Sequence, residues 1–323
     1  MTTRAATFLA GCWLASVTPF LCAADAVYPT KPIRLIIPFV PGGPSDFLSR
    51  LVGGKVSENI GVQIVPDNRG SAGGILGFEM AAHSTPDGYT MLMAAYSGYT
   101  INPYVYRKLP YDPFKELQPI TQLTLGGNVI IINLSVNAAT LKDFIALAKS
   151  MPGKMNFAST GAGPLLATEL FKKEAGIDLV NIPYKGTGQA QLALLSNEVQ
   201  FFVENPLIAV PAIKNGQVRA LAVTSLQRNP VLPDLPTVAE SGFPGYENVT
   251  WHSFAFPAGV PRPILRKMHD EIVKALKTPA VRDTILAQGL EPVGNTPEEL
   301  SARIKKEAVQ FAKLVKEIGY QPQ

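Results

Sequence analysis

The sequence predicts an α/β fold in which strands and helices alternate along most of the chain. Short apolar runs rich in β-branched residues are followed by segments whose apolar residues recur at helical spacing. Turns rich in glycine and proline separate these segments, and the alternation occurs in two stretches, 33–95 and 129–224. With 323 residues, 46% of them hydrophobic and 17% charged, the chain is long enough for two domains with separate cores.

The first stretch begins with a buried strand over 33–39, which a Pro-Gly-Gly-Pro turn joins to a helix. Apolar residues at helical spacing continue this helix to Asn59, and 62–65 is the next predicted strand. A second helix over 73–82 and a third strand over 89–95 follow. This strand–helix–strand order predicts a parallel sheet.

The second stretch repeats the alternation and ends in a long irregular segment. The predicted strands are 129–132, 155–158, 179–182, 201–203 and 221–224, and the predicted helices are 141–149, 165–175 and 190–195. Prolines at 230, 233, 236 and 244 exclude regular helix or strand up to Tyr246. Beyond them we predict a strand over 251–255 and helices over 261–276, 280–288 and 297–318.

The first 26 residues have the pattern of an export signal that is cleaved. Arg4 precedes an apolar run over 5–23, and Ala24-Asp25-Ala26 fits a cleavage site of the A-x-A type. Pro19 interrupts the run, which favours cleavage over a retained membrane anchor. The residues that end at Cys12 also fit a lipoprotein acylation box, so a lipid anchor there remains an alternative. Cleavage near Ala24 to Ala26 predicts a periplasmic protein.

The charge pattern and the cysteines narrow the classes of function. The net charge of +4 is spread along the chain without a Lys/Arg block, so no nucleic-acid partner is predicted. Cys12 and Cys22 both precede the expected cleavage site. The mature chain therefore has no cysteine for a disulfide or for thiol chemistry.

Motifs typical of enzymes are missing from the sequence. There is no Gly-x-Ser-x-Gly elbow and no phosphate-binding Gly-Lys-Ser/Thr loop. His83, His252 and His269 lie in separate regions without the spacing of metal ligands. The glycines of 70–77 miss the dinucleotide-binding spacing. We therefore expect no metal, no cofactor and no catalytic residues.

A candidate binding loop follows the first predicted strand. Gly43, Pro44 and Ser45 lie between this strand and a helix, where uncovered backbone N–H groups and the positive end of the helix attract an anion. The Ser45 hydroxyl adds a donor. Asp46 would repel a carboxylate, so we assign it to capping and to the helix dipole. A lone pair of glycines at such a turn is also explained by the turn alone.

A second loop of similar chemistry follows the strand predicted over 155–158. Ser159, Thr160, Gly161 and Gly163 combine hydroxyl donors with glycines before a predicted helix. Two such helix starts that face one another across a cleft clamp a carboxylate by backbone and hydroxyl hydrogen bonds, without any arginine.

Three further residues are candidates for contact with a ligand. Phe39 and Ser97 end predicted strands on the side where ligands bind in open α/β sheets, although Phe39 fits a core position equally well. Asn205 follows an apolar strand, where a polar side chain meets the far end of a ligand; the role of Glu204 beside it is left open. Lys185 either attracts an anion or lies exposed in a turn.

A series of motifs carries a family resemblance. In order, these motifs are Tyr28-Pro29-x-Lys31-Pro32-Ile33-Arg34, Pro38-Phe39-x-Pro41-Gly42-Gly43-x-x-Asp46, Asn68-Arg69-x-x-Ala72-Gly73-Gly74-x-x-Gly77, Leu109-Pro110-Tyr111-Asp112, Phe157-Ala158-Ser159-x-Gly161-x-Gly163, Pro183-Tyr184-Lys185-Gly186, Arg219-Ala220-Leu221-Ala222-Val223-Thr224 and Leu235-Pro236-Thr237-Val238-x-Glu240-x-Gly242. Together they resemble the tripartite tricarboxylate transporter receptors, often called the Bug family, over nearly the whole mature chain.

The resemblance implies a two-lobed periplasmic binding protein fold of type II-like topology. Each lobe would be a mixed sheet flanked by helices, with a hinge between the lobes and the ligand in the cleft. After a signal peptide over 1–26, lobe 1 would comprise 27–124 and 225–323, and lobe 2 would comprise 125–224. The sequence departs from the family pattern at Glu204, where relatives more often carry aspartate.

The expected function is capture of a small mono- or dicarboxylic acid, aliphatic or aromatic, without enzymatic activity. The resemblance implies that the protein hands this carboxylate to the membrane subunits of a tripartite tricarboxylate-type transporter, and we expect a monomer. Two alternatives remain open. A sensor would pass the binding event to a signalling partner, and a periplasmic hydrolase would use Ser159 or Ser45 beside Glu204.

Overall fold

The computed structural model describes residues 28–322, which form two lobes, each built around one mixed sheet. The predicted α/β fold class is confirmed. The predicted export signal, with its cleavage site near Ala24 to Ala26 and Cys12, lies outside the described residues. No helix between residues 28 and 322 has the length and apolar character that crossing a bilayer requires.

The elements alternate as the sequence pattern predicts. In chain order they are β1 (Ile33–Ile37), α1 (Pro44–Ile60), β2 (Ile64–Asn68), a 3₁₀ turn (Ala72–Gly74), α2 (Ile75–Ala82), β3 (Thr90–Ala95), α3 (Tyr96–Thr100), α4 (Asn102–Val105), β4 (Leu117–Gly127), β5 (Val129–Ile132), α5 (Leu141–Ser150), β6 (Asn156–Ser159), α6 (Ala162–Ala175), β7 (Val180–Pro183), α7 (Thr187–Leu195), β8 (Phe201–Glu204), α8 (Pro206–Lys214), β9 (Arg219–Val223), β10 (Val249–Pro257), α9 (Arg262–Lys277), α10 (Pro279–Ala287), β11 (Glu291–Pro292) and α11 (Pro297–Glu317).

The first lobe contains a sheet with the strand order β2-β1-β3-β10-β4-β11. Strand β1 pairs in parallel with β2 and β3, as predicted, whereas β10 runs antiparallel to β3 and β4. Leu35 and Ile36 point to opposite faces of β1, and both are inaccessible to solvent. Because both faces are covered, this strand is a continuous apolar run rather than an alternating one.

The second lobe contains a sheet with the strand order β7-β6-β8-β5-β9. Strand β6 pairs in parallel with β7 and β8, and β5 runs antiparallel to β8 and β9. Three rings stack in its core: Phe201 lies between Phe144 and Phe171, with centroid distances of 5.0 and 5.6 Å. These rings fix helices α5 and α6 to one face of the sheet.

Two of the elements that the sequence pattern did not predict are β4 and α8. In β4 the fully buried positions include Thr121 and Gln122, so no apolar run marks the strand. These residues bond instead to Asn295, whose carbonyl accepts from Thr121 Oγ1 at 2.6 Å and whose Oδ1 accepts from the Gln122 N–H at 2.9 Å. Helix α8 contains Pro206 in its first turn and Pro211 inside it, a combination that predicts a loop.

Three chain segments run side by side where the lobes join. Asn128 follows β4, Thr224 follows β9, and Asn248 precedes β10. The Thr224 hydroxyl donates to the carbonyls of Asn128 (3.2 Å) and Asn248 (2.5 Å). The Asn128 amide donates to Asn248 Oδ1 at 3.0 Å. Side-chain hydrogen bonds therefore hold the connecting segments together.

The segment from 225 to 248 contains neither helix nor strand, which confirms the prediction from its prolines. Val238 and Tyr246 of this segment pack into the core of the second lobe. The chain enters the first sheet again only at Val249. The core of the second lobe therefore includes residues beyond 125–224.

Candidate functional site

A cavity lies between the two lobes, where β1, β3, β6 and β8 end and the following helices begin. Its volume of about 100 Å³ is below the roughly 300–1,000 Å³ of pockets for drug-sized ligands, so the space fits a small molecule. The lining residues are Phe39, Val40, Gly43, Pro44, Ser45, Gly73, Ala95, Tyr96, Ser97, Thr250 and His252 from lobe 1, Asn128 at the junction, and Thr160, Gly161, Ala162, Gly163, Pro164, Gly186, Thr187, Glu204 and Asn205 from lobe 2.

Helix α1 begins at this cavity in lobe 1. Gly43 is its N-cap in an extended conformation, and Pro44 and Ser45 are the first two helical residues. The N–H groups of a first helical turn have no partner inside the helix and carry a partial positive charge. Ser45, which is buried, adds a hydroxyl to this end of the helix. The predicted loop therefore lies at the wall of the cavity.

Asp46 makes structural contacts at the start of α1. Its Oδ2 accepts from the Gly42 N–H at 3.1 Å, and its Oδ1 accepts from Arg50 Nε at 3.0 Å and from Asn68 Nδ2 at 3.1 Å. Burial opposes ionisation, but the hydrogen bonds from Arg50, Gly42 and Asn68 lower the pKa of Asp46. The carboxylate thus holds the loop before α1, which agrees with its assignment to the helix start.

Helix α6 begins at the same cavity from lobe 2. Its N-cap Gly161 has a φ of 142°, a conformation that favours glycine, and Thr160 before it also lines the cavity. A Cβ at Gly163 would lie 2.6 Å from the hydroxyl oxygen of Tyr96 in lobe 1. Glycine therefore permits the close approach of the two lobes at this point. The starts of α1 and α6 share one cavity.

The remaining wall combines an aromatic ring with further polar groups. Phe39 follows β1, and Ser97 lies in the first turn of the short helix α3. Asn205 caps α8, because its Oδ1 accepts from the Leu207 N–H at 3.0 Å. The oxygen is committed to the helix, so the NH₂ group is the part of Asn205 left to donate to a ligand. Gly186 adds the start of helix α7.

Two residues singled out in the sequence do not line the cavity. Ser159 ends β6 directly before Thr160, and its side chain is buried outside the wall. Lys185 is exposed in the loop before α7 and is also outside the wall. The lining residues include no Lys or Arg. Within residues 28–322, no group of three or more His, Cys, Asp or Glu side chains is placed to hold a metal ion.

Glu204, whose role the sequence left open, ends β8 and lines the cavity with a side chain that is 3% exposed. Its Oε1 accepts from the Asn205 N–H at 2.6 Å, whereas Oε2 has no hydrogen-bond partner among the described residues. Burial raises the pKa of Glu204 to about 8, against the opposing effect of the Asn205 hydrogen bond. At neutral pH this carboxyl group is therefore mostly protonated.

His252, to which the sequence assigned no role, lines the cavity from β10 in lobe 1. It is buried, and its Nδ1 lies 3.4 Å from Thr124 Oγ1. Burial lowers the pKa of His252 to about 4, so the imidazole is neutral at neutral pH. No local pattern could have assigned Glu204 and His252 to one site, because they come from different lobes and meet at the cavity only in the folded chain.

Two mixed α/β lobes with helix starts around a shared cleft define a two-lobed binding protein of the periplasmic type, as the sequence predicts. Residues 48–320 match the TctC family, described as "Tripartite tricarboxylate transporter family receptor". The chain belongs to this family, which confirms the resemblance found in the sequence. The family is one of receptors rather than enzymes.

Individual proteins agree with this assignment. The chain is 34% identical to the "UPF0065 protein in tcbD-tcbE intergenic region" of Pseudomonas sp. (strain P51), over 96% of this chain and 93% of that protein. The periplasmic binding protein BugD superposes with a TM-score of 0.87 at 32% identity, covering 92% of this chain and 100% of BugD. Rpa4515 of R. palustris with adipate superposes with a TM-score of 0.89 at 30% identity, covering 92% of this chain and 100% of Rpa4515. MatC (Rpa3494) from Rhodopseudomonas palustris with bound malate superposes with a TM-score of 0.85 at 28% identity, covering 89% of this chain and 100% of MatC.

Proposed function

We propose that the protein is a periplasmic solute-binding protein that captures a small mono- or dicarboxylate for a tripartite tricarboxylate-type transporter, and that it is not an enzyme. The observation that carries this proposal is the meeting of α1 and α6, from opposite lobes, at one cavity without Lys or Arg. The hydroxyls of Ser45 and Thr160 lie at these helix starts.

Backbone N–H groups at helix starts suit an anion for two reasons. They lack partners inside the helix, and the helix dipole places a partial positive charge beside them. Hydrogen bonds to a charged group each contribute about 1.5–3 kcal/mol, so a few such donors suffice for a carboxylate. A neutral sugar would not benefit from the positive helix ends.

The solved relatives support the class of ligand. Rpa4515 was solved with adipate and MatC with malate, both dicarboxylates. In this chain the cavity is small, and Phe39 and Tyr96 form part of its wall. These rings suit either the aliphatic chain of a dicarboxylate or the ring of an aromatic acid.

The location and partner follow from the same proposal. Residues 1–26 direct export and are removed near Ala24 to Ala26, which leaves a monomeric receptor free in the periplasm. Its ligand-bound form then delivers the carboxylate to the membrane subunits of the transporter. BugD, a periplasmic binding protein by description, supports this location.

The test is a thermal-shift screen of the mature chain at pH 6 with adipate, malate, succinate and benzoate, and with neutral sugars for comparison. We expect at least one carboxylate, and no sugar, to raise the melting temperature. A shift with sugars alone would refute the proposal. Turnover of the stabilising compound would identify a hydrolase. Recovery of a signalling protein in place of transporter subunits from a membrane pull-down would identify a sensor.

A further inference from the structure

Glu204 is a buried acidic group at the proposed site, and the described part of the chain leaves its second oxygen unpaired. The residue lines the cavity, and its Oε2 has no hydrogen-bond partner among the described residues. Buried polar atoms in folded proteins are usually paired. Among the described side chains with an unpaired buried atom, Glu204 is the one that lines this cavity, so a ligand bound there can supply the missing partner.

The elements that pack against β8 bring no charged side chain to the carboxyl group of Glu204 to neutralise it. The neighbouring strands β5 and β6 contain no titratable residue. Helix α6, which also packs on β8, carries its four charged residues in its second half, away from the cavity end. Helix α8 carries only Lys214, at its far end. Across the cavity, the titratable residues of the wall are His252 and Tyr96.

We propose that Glu204, in the wall of the cavity, is a neutral carboxylic acid that donates a hydrogen bond from Oε2 to a carboxylate oxygen of the captured solute. This inference rests on the proposed function, because it requires an anionic solute. An ionised Glu204 would repel that anion, and the cavity wall contains no Lys or Arg to offset the repulsion. Since Oε1 already accepts from the Asn205 N–H, Oε2 is the oxygen that carries the proton.

The inference has a direct consequence for the pH dependence of binding. In the free protein, burial raises the pKa of Glu204 to about 8. A bound carboxylate disfavours ionisation further, so the pKa of Glu204 is higher in the complex. Above about pH 8 binding must therefore take up a proton, and affinity falls by as much as about tenfold per pH unit. Below about pH 7 affinity is nearly constant.

The other groups at the cavity do not titrate in this window. Burial lowers the pKa of His252 to about 4, so its imidazole stays neutral. Burial, and secondarily the charge of Glu307, raise the pKa of Tyr96 above its ordinary value. Benzoate has a single carboxyl group with an ordinary pKa near 4, so it is ionised throughout. In the dicarboxylates the first negative charge raises the second pKa toward pH 6, but both groups are ionised by about pH 7, so the solutes do not titrate in the range where the decline is expected.

The first experiment is calorimetric titration of the mature chain with adipate, malate, succinate and benzoate from pH 6 to pH 9.5. We expect constant affinity up to about pH 7 and a decline above pH 8, with uptake of about one proton at pH 9 in buffers of different ionisation enthalpy. Glu204→Gln keeps the shape and an N–H donor but cannot ionise, so it should bind within a few-fold at pH 6 and show no decline. His252→Gln is the matched control and should retain the decline.

A second measurement needs no ligand. The infrared difference spectrum between the wild-type chain and Glu204→Gln at pH 7 should contain the carbonyl band of a protonated carboxylic acid. Glu204→Met, which keeps the volume but removes the donor, should weaken carboxylate binding at pH 6 by about ten- to a hundredfold, the loss of one hydrogen bond to a charged group.

The outcomes separate this inference from the proposed function. Three results would each overturn the role of Glu204 and leave carboxylate capture intact. They are an affinity that stays constant to pH 9.5, a missing carbonyl band, and a decline in affinity that persists in Glu204→Gln. Absence of binding by all four carboxylates at pH 6 would overturn the proposed function, and this inference with it. An affinity that rises between pH 7 and pH 9.5 would show that binding does not require a protonated Glu204, which also overturns the inference.

Discussion

Ser45 is the lining residue at which a single donor is most easily removed. It sits in the first turn of α1, so Ser45→Ala deletes the hydroxyl and leaves the backbone N–H groups and the helix in place. We expect this change to weaken carboxylate binding by about 0.5–3 kcal/mol, the range for one lost hydrogen bond. Calorimetry with adipate and malate measures the effect, and thermal unfolding without ligand should be nearly unchanged.

Ser159→Ala is the comparison for this prediction. Ser159 lies directly before Thr160 but outside the cavity wall, so its loss should weaken binding less than that of Ser45. Ser301→Ala, on the surface helix α11, should have no effect on affinity. Unchanged affinity for Ser45→Ala would remove the α1 hydroxyl from the site.

The residues of the cavity differ in how far the sequence predicts their placement. Gly43, Ser45 and Gly161 belong to strand–helix turns, whose chemistry and φ angles are local properties that a sequence pattern reveals. Glu204 and His252 are different. Their burial, and hence the direction of their pKa shifts, is set by segments far away in the chain. Local patterns therefore predict the donors better than the buried titratable groups.

At the scale of elements, the loop after β1 and the start of α7 meet across the cleft. A Cβ at Gly186 would lie 2.4 Å from Cγ2 of Val40, although the backbone of Gly186 is extended and accepts any residue. Gly186→Ala should therefore keep the fold but hold the two lobes apart. We expect weaker binding of adipate and malate with little change in the melting temperature of the free protein.

The same helix offers a matched control. No atom lies within 4 Å of a Cβ built at Gly188, so Gly188→Ala should bind as the wild type does. Adding Val40→Ala to Gly186→Ala removes the clashing methyl and should restore most of the affinity. Equal affinity of Gly186→Ala and the wild type would show that this contact does not limit closure.

The elements that the sequence predicts best are those whose buried residues follow a regular pattern along the chain. Strand β1 is an unbroken apolar run, and the helices after Pro261 have one apolar face, so periodicity alone locates them. Strand β4 buries Thr121 and Gln122, and Asn295, from the other end of lobe 1, accepts hydrogen bonds from the Thr121 hydroxyl and the Gln122 backbone N–H. Helix α8 accommodates Pro211, against local propensity. Tertiary partners override the pattern in both cases.

At the scale of the whole molecule, the junction at Asn128, Thr224 and Asn248 determines how the two lobes can move relative to each other. The three segments are tied to each other by hydrogen bonds, so they can bend together while each lobe keeps its own core.

Trp251 does not lie in the cleft: it is fully buried in lobe 1, and its Nε1 donates to Glu307 Oε2 at 2.7 Å. Its fluorescence is therefore expected to change little when the lobes move.

Small-angle scattering measures the movement directly. If the lobes close on a carboxylate, the radius of gyration of the mature chain decreases when adipate or malate is added at a concentration that calorimetry shows to be saturating. Gly186→Ala, in which the new methyl meets Val40, should remain closer to the ligand-free value at saturation, and Gly188→Ala should shrink as the wild type does. An unchanged radius in the saturated wild type would refute hinge closure, because ligand would then enter a cleft whose lobes already have their final spacing.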